Sequence, residues 1–133
     1  MKSKISFKMF SFTLDCINPQ ELADFYAAML NWEKGSNDDG WAWVVGPEKY
    51  PFILFQQNLD YKPPVWPEKP DMQQQMAHID FAVNDLDKAV QHAIKCGAKI
   101  AGEQFSEAWK VMIDPAGHPF CLCPKKAIFH MSE

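Results

Sequence analysis

The residues best suited to chemistry lie in the second half of the chain. His78 and Asp80 stand two positions apart in the alternating segment H-I-D-F-A-V, so a strand would place both side chains on one face. A neighbouring carboxylate orients an imidazole and fixes its tautomer, which suits acid-base work, ligand contact or metal ligation. Cys121 and Cys123 share a face of a later apolar run, where cysteine most often serves as a small apolar side chain.

The cysteine run belongs to a predicted β-hairpin. The segment from Trp109 to Cys123 consists of two short apolar runs on either side of the sequence D-P-A-G. Pro115 presets φ for a β-turn, and Gly117 tolerates a positive φ. These features predict two antiparallel strands joined by a tight turn.

A similar stretch occurs 68 residues earlier in the chain, which predicts an internal repeat of the hairpin. The identities at this offset join Trp41 with Trp109, Pro47 with Pro115, Pro51 with Pro119, Phe52 with Phe120, and Leu54 with Leu122.

The sequence of each half of the chain predicts the element order β-α-β-β-β. Asn18 followed by proline and then Glu21 indicates a helix start, and Asn84-Asp85 indicates another, at an offset of 67. Gly97 closes the second helix. The predicted strands of the first half lie within 6–17 and at 32–34, 41–45 and 52–56; those of the second half lie at 76–83, 99–103, 109–113 and 120–123.

Length and composition favour one ordinary globular domain. The chain has 133 residues, of which 47% are hydrophobic and 23% charged, and its net charge is -4. A negative net charge does not indicate binding to nucleic acid or to an anionic membrane. Without a membrane-spanning run or a signal peptide, a cytoplasmic location is expected. The four cysteines show no C-x-x-C spacing and are expected to be reduced thiols.

The two modules, with the segments H-I-D-F-A-V-N-D-L and D-P-A-G-H-P-F-C-L, resemble the vicinal oxygen chelate superfamily. That superfamily includes glyoxalase I, extradiol dioxygenases, and bleomycin- and fosfomycin-resistance proteins. The likeness is closest to an uncharacterised glyoxalase-like branch that shares the P-P-x-W-P connector. It implies one α+β domain over residues 1–133, in which tandem modules at about 5–57 and 76–124, joined by a proline-rich connector at 58–75, form a curled mixed sheet around a cleft. It also implies a homodimer, which exposed sheet edges favour independently.

Metal-dependent members of the superfamily draw four ligands from the first and last strands of the two modules. Carried over by position, these ligands are Ser11, Ile53, His78 and Cys121. Ile53 has no donor atom and Ser11 is a poor ligand, whereas a catalytic site needs about three protein donors. No metal cofactor is therefore expected; the alternative is a divalent metal held by His78 and Cys121.

Aromatic residues are the other candidates for a ligand site. Tryptophans fall on alternating strand positions where they can line a cavity, and Trp66 on the connector can cover its mouth. The alternative for about half of these aromatic residues is that they fill the hydrophobic core. Strand alternation alone does not determine which face of a strand lines the cavity. The predicted ligand-contacting residues are Thr13, Asp15, Trp41, Trp43, Phe55, Trp66, His78, Asp80, Trp109 and Cys121.

Three functions fit these patterns. The first is a metal-independent protein that binds a small, planar organic molecule in an aromatic-walled cleft. The second is a metal-dependent lyase, isomerase or dioxygenase in which His78 and Cys121 bind the metal and nearby carboxylates or water complete its coordination. The third is a metal-free enzyme that uses His78 and Asp80 as an acid-base pair, although the sequence offers no nucleophile or oxyanion site for it.

Overall fold

The computed structural model describes residues 4–125, which divide into two compact units with the boundary between Leu59 and Asp60. Each unit has the order β-α-β-β-β, so the predicted α+β fold of two tandem modules is confirmed. The first unit contains β1 (Ser11–Cys16), α1 (Pro19–Leu30), β2 (Glu33–Ser36), β3 (Trp41–Val45) and β4 (Phe52–Gln57). The second contains β5 (Ile79–Val83), α2 (Leu86–Cys96), β6 (Lys99–Ile100), β7 (Lys110–Ile113) and β8 (Pro119–Pro124).

The strands form two four-stranded sheets with the same topology, and neither sheet closes on itself. The order is β1-β4-β3-β2 in the first unit and β5-β8-β7-β6 in the second. In each sheet the first and last strands of the module pair in parallel, and the other neighbours are antiparallel. The helix and the two strands that follow it form the long connection that a parallel pair requires.

Both helices begin and end as their capping residues predict. The Asn18 side chain accepts a hydrogen bond from the Glu21 backbone N–H at 3.1 Å, and Asn31 ends α1 in the left-handed region with φ 57°. Asp85 caps α2, and Gly97 ends it with φ 127°. In the part of the chain that the structure describes, no helix has the length and apolar character needed to cross a bilayer.

One face of the first sheet packs against α1. Alternate residues of β3 and β4 are buried on this face, including Ala42, Val44 and Ile53. Phe55 is also fully buried, and its ring stacks on that of Tyr26 in α1 with centroids 5.4 Å apart. This face is therefore the core of the first unit.

The two hairpins differ in length by one residue. Pairing begins at Val45 opposite Phe52 in the first hairpin and at Ile113 opposite Pro119 in the second. Residues 46–51 therefore form the first turn and residues 114–118 the second, so β3 matches β7 at an offset of 68 and β4 matches β8 at an offset of 67. The sequence predicts an offset of 68 residues for both strands of the hairpin. This prediction is wrong for the last strands, β4 and β8, which match at an offset of 67.

This difference changes one residue of the carried-over ligand set. Thr13 pairs with Leu54 in the first sheet as Asp80 pairs with Cys121 in the second. The counterpart of Cys121 is therefore Leu54 and not Ile53, which faces the helix. Leucine also lacks a donor atom, so the first unit still lacks a metal ligand at this position.

The predicted turn of the second hairpin forms around Asp114. This side chain is buried, and its Oδ1 accepts hydrogen bonds from the backbone N–H groups of Ala116 and His118, both at 2.9 Å. Gly117 adopts a positive φ of 95°, as its type predicts. One carboxylate thus fixes the conformation of the whole turn.

The proline-rich connector lacks regular structure, as predicted, and belongs to the second unit. The Tyr61 hydroxyl donates to the Ala116 carbonyl oxygen at 2.7 Å. Pro63 lies so close to Gly117 that a Cβ on the glycine would be 2.7 Å from the proline Cβ. These contacts hold the start of the connector against the Asp114 turn.

Candidate functional site

The first sheet has an open face opposite α1, and two tryptophans lie on it. Residues that pair across neighbouring strands project to the same face. Pairing joins Thr13, Leu54 and Trp43 in one row and Asp15, Gln56 and Trp41 in the next. All six side chains are partly or fully exposed. These residues (Thr13, Asp15, Trp41, Trp43, Leu54 and Gln56) are called the tryptophan face below.

Gly35 determines where the Trp43 indole lies. It pairs with Trp43 across β2 and β3, and a Cβ built on it would lie 2.6 Å from the indole Nε1 and Cε2 atoms. The absence of a side chain at this position therefore leaves room for the indole to lie over β2. The strand predicted from the sequence ends at residue 34, whereas β2 extends to Ser36 and includes Gly35.

Polar groups border the tryptophan face at the end of β1. The Asp15 carboxylate accepts a hydrogen bond from the Asn58 amide at 3.2 Å, and Thr13 is exposed. Trp41 also borders a cavity of about 340 Å³ beside the N-terminus of α1, with Asn37 and Gln57 among its lining residues. The face thus combines aromatic surface with a few hydrogen-bonding groups.

Phe55 does not belong to this face. It lies one position from Leu54, so strand alternation turns it to the helix side, where it is fully buried against Tyr26. A ligand on the open face has no access to its ring, so Phe55 is a core residue and its predicted lining role is corrected. Leu54 takes the position beside Trp43 instead. Trp109, which precedes β7, is 38% exposed in the second unit.

In the second unit the structure brings His78, Asp80 and Cys121 together. Asp80 pairs directly with Cys121, and the His78 Nε2 lies 3.1 Å from the Asp80 Oδ1. One nitrogen, one oxygen and one sulfur atom of the three residues all lie within 4.8 Å of one another. His78 and Asp80 are exposed, whereas Cys121 is buried. The sequence identified two metal-donor candidates here, and the register adds Asp80 as a third.

The environment of Cys121 opposes ionisation of its thiol. Burial raises the pKa of Cys121 to about 12, with further contributions from the negative charge of Asp80, a hydrogen bond to that carboxylate, and the neighbouring Cys123. Burial, followed by the charge of Asp80, also raises the pKa of Cys123. In the absence of a cation, Cys121 is therefore a neutral thiol at physiological pH.

Trp66 packs near these cysteines. It contacts a buried cluster formed by Ala101, Val111, Cys121 and Cys123. Its indole N–H donates to the Glu103 carbonyl oxygen at 3.4 Å, and its ring meets Phe105 edge-on with centroids 5.6 Å apart. The connector thus places an aromatic ring against the cysteine-bearing face of the second sheet.

The sequence matches a family model described as the glyoxalase-like domain over residues 11–123. This chain therefore belongs to the glyoxalase-like domain family, within the vicinal oxygen chelate superfamily. No curated protein matches it.

Solved structures show the same fold. Glyoxalase I from Leishmania major is 19% identical with a TM-score of 0.62, over 92% of this chain and 90% of that chain. A glyoxalase/dioxygenase from Nostoc punctiforme is 17% identical with a TM-score of 0.63, over 92% and 96%. An antibiotic binding protein from a Streptomyces species is 15% identical with a TM-score of 0.61, over 92% and 98%. At these identities the likeness establishes the fold alone.

Proposed function

We propose that this protein binds a small, planar organic molecule on the tryptophan face of its first sheet. The observation that carries the proposal is the position of Trp41 and Trp43, which lie partly exposed on the face opposite α1. Thr13 and Asp15 stand in the same rows of the sheet. Aromatic surface with a few polar groups is the usual composition of a small-molecule site.

The ligand positions of the superfamily support binding without the usual metal. In the first unit these positions hold Ser11 and Leu54, a poor donor and a residue without one. The four-ligand pattern is therefore incomplete in this chain. The fold itself is compatible with a binding role, since the Streptomyces structure is that of an antibiotic binding protein.

The proposal is tested by calorimetric titration with a panel of planar aromatic compounds, followed by substitution on the tryptophan face. For a compound that binds, Trp43→Leu should weaken the affinity by about tenfold or more, because it removes a stacking surface. Trp32→Leu is the matched control, since Trp32 lies outside the tryptophan face, and it should leave the affinity unchanged. Equal binding by wild type and Trp43→Leu would refute the proposal.

A metal-dependent lyase, isomerase or dioxygenase is the second candidate, and the His78–Asp80–Cys121 cluster favours it. The superfamily includes such enzymes, and the cluster supplies the three donors that a catalytic metal site commonly uses. Elemental analysis of protein purified without a metal-chelating tag separates the two candidates. A stoichiometric metal together with chelator-sensitive turnover would favour the enzyme, whereas ligand binding that persists after chelation would favour the binding protein.

The homodimer is also proposed. β1 and β2 are the edges of the first sheet, and β5 and β6 are those of the second. Ahead of β1, Phe7 is 95% exposed and Ile5 72% exposed, which provides apolar surface for association. Size-exclusion chromatography with light scattering should give the mass of a dimer, and a monomer mass at all concentrations would contradict this proposal. The cytoplasmic location expected from the sequence stays a prediction.

A further inference from the structure

We propose that the molecule bound on the tryptophan face is a planar organic cation, such as a fused aromatic ring that carries a protonated amine. The inference rests on the proposed function, because it names the chemical class of the ligand at the same site. Two observations carry it. The first is the sign of the charges on the open face of the first sheet, and the second is the position of the two indoles relative to them.

The charged side chains in the strand rows of the open face are carboxylates. Strand pairing places Glu33 in the row of Val45, next to the row of Trp43, and places Asp15 in the row of Trp41. Glu33 is exposed and Asp15 is partly exposed. Lysine and histidine do not occur in the rows of this face that the structure describes. These rows are Ser11, Phe52, Val45 and Glu33; Thr13, Leu54, Trp43 and Gly35; and Asp15, Gln56 and Trp41.

The lysine of β2 lies on the opposite face of the sheet. Lys34 follows Glu33 in the strand, so alternation turns it towards α1, where its Nζ atom lies 2.6 Å from the Asp24 Oδ1. A carboxylate therefore compensates this positive charge on the helix side. Lys8 stands over the Tyr50 ring, 4.3 Å from its centroid, at the end of the sheet farther from the second tryptophan row. The open face near the indoles thus keeps a negative potential.

The indoles add a second attraction for a cation. The Trp43 indole lies over Gly35, and Glu33 is the next residue of β2 on the same face. A cation stacked on this indole is attracted both by the π-electrons of the ring and by a nearby carboxylate. Trp41 stands two positions away on β3, about 7 Å along the strand, so a tricyclic ligand can reach both indoles. Trp41 also borders the cavity of about 340 Å³, to which Asp38 contributes a further carboxylate.

The test compares three acridines of nearly the same shape in calorimetric titrations of the full chain at slightly alkaline pH. Under these conditions acridine is neutral, 9-aminoacridine is a cation and acridine-9-carboxylate is an anion. We expect one 9-aminoacridine per chain, bound about tenfold or more tightly than acridine, and the weakest binding for the carboxylate. Added NaCl should reduce the preference for the cation, because salt screens exposed charges.

Substitutions then locate the source of the preference. Glu33→Gln and Asp15→Asn should each lower the ratio of the 9-aminoacridine affinity to the acridine affinity by about threefold or more. Asp24→Asn is the matched control, since it makes the same carboxylate-to-amide change on the helix side of the sheet, and it should leave this ratio unchanged. Trp43→Leu should weaken the binding of both compounds, because both stack on the indole.

The outcomes separate this inference from the proposed function. Equal affinities for the three acridines, all weakened by Trp43→Leu, would overturn the cation class and leave the proposed function in place. Tighter binding of acridine or its carboxylate would also overturn the inference, as would an unchanged ratio in the double variant of Glu33→Gln and Asp15→Asn with wild-type circular dichroism. If none of the acridines binds, the inference is wrong, and the wider panel of planar compounds decides the proposed function.

Discussion

Asp80 and Cys121 lie directly opposite each other in the parallel pairing of β5 and β8. A carboxylate and a buried thiol thus face each other on one side of a sheet, although 41 positions separate them in the sequence. Burial raises the pKa of this thiol, and the charge of the neighbouring Asp80 raises it further. The pairing also brings a nitrogen of His78, an oxygen of Asp80 and the sulfur of Cys121 within 4.8 Å of one another.

The raised pKa of Cys121 predicts a loss of stability at alkaline pH in the EDTA-treated protein. An unfolded chain ionises this thiol above its ordinary pKa of 9.0, whereas the folded protein keeps it protonated up to about 12. The unfolded state therefore binds fewer protons between these values, and the free energy of unfolding falls as pH rises through them, by at most about 1.4 kcal/mol per pH unit.

Urea unfolding at three pH values, about pH 8, about pH 9 and about pH 10, measures this slope. Cys121→Ser should show a shallower decline than wild type, because serine does not titrate in this range. Cys96→Ser removes a thiol on α2 away from Asp80 and should keep the wild-type slope. Identical slopes for wild type and Cys121→Ser would contradict the prediction.

Gly35→Ala should displace the Trp43 indole. The added Cβ would lie 2.6 Å from the ring, so the ring or the strand must move, at a cost of about 1–3 kcal/mol in the free energy of unfolding. Urea unfolding measures the loss, and the indole N–H signal of Trp43 in a ¹H–¹⁵N spectrum should shift. Gly102→Ala is the control, since nothing lies within 4 Å of its added Cβ. If both variants match the wild type, the indole does not lie over Gly35.

Phe55→Ala should strongly destabilise the first unit. The Phe55 side chain is fully buried and stacked on Tyr26, so its removal leaves a cavity that costs about 3–5 kcal/mol. Leu59→Ala also truncates an apolar side chain, but at a position that is 76% exposed, and should alter stability by no more than about 0.5 kcal/mol. Equal effects in denaturant unfolding would show that Phe55 is not a core residue.

Asp114→Ala should destabilise the second hairpin. The substitution leaves two turn N–H groups without the carboxylate oxygen that accepts their hydrogen bonds, at an expected cost of about 1–3 kcal/mol. Glu48→Ala changes an exposed carboxylate in the turn of the first hairpin and should have little effect. Thermal unfolding compares the two variants, and a melting temperature unchanged by Asp114→Ala would contradict this account of the turn.

Features that depend on neighbouring residues could be predicted from the sequence alone. Asn18 and Asp85 start the helices and Gly97 ends the second, because a cap interacts with backbone groups a few positions away. The turn at Asp114 and Gly117 likewise follows from local side-chain and φ preferences. The repeated order of elements and the glyoxalase-like family follow from these local patterns taken together.

Only the tertiary structure decided which side chains meet. Strand alternation predicts that the side chains of Leu54 and Phe55 project to opposite faces of the sheet. The packing of α1 determines that Phe55 is the buried one. One additional residue in the first turn shifts the register of the last strand, so that Leu54 and not Ile53 matches Cys121. A one-residue shift turns every side chain of a strand to the other face. Strand pairing and helix packing join distant segments, and local patterns do not determine them.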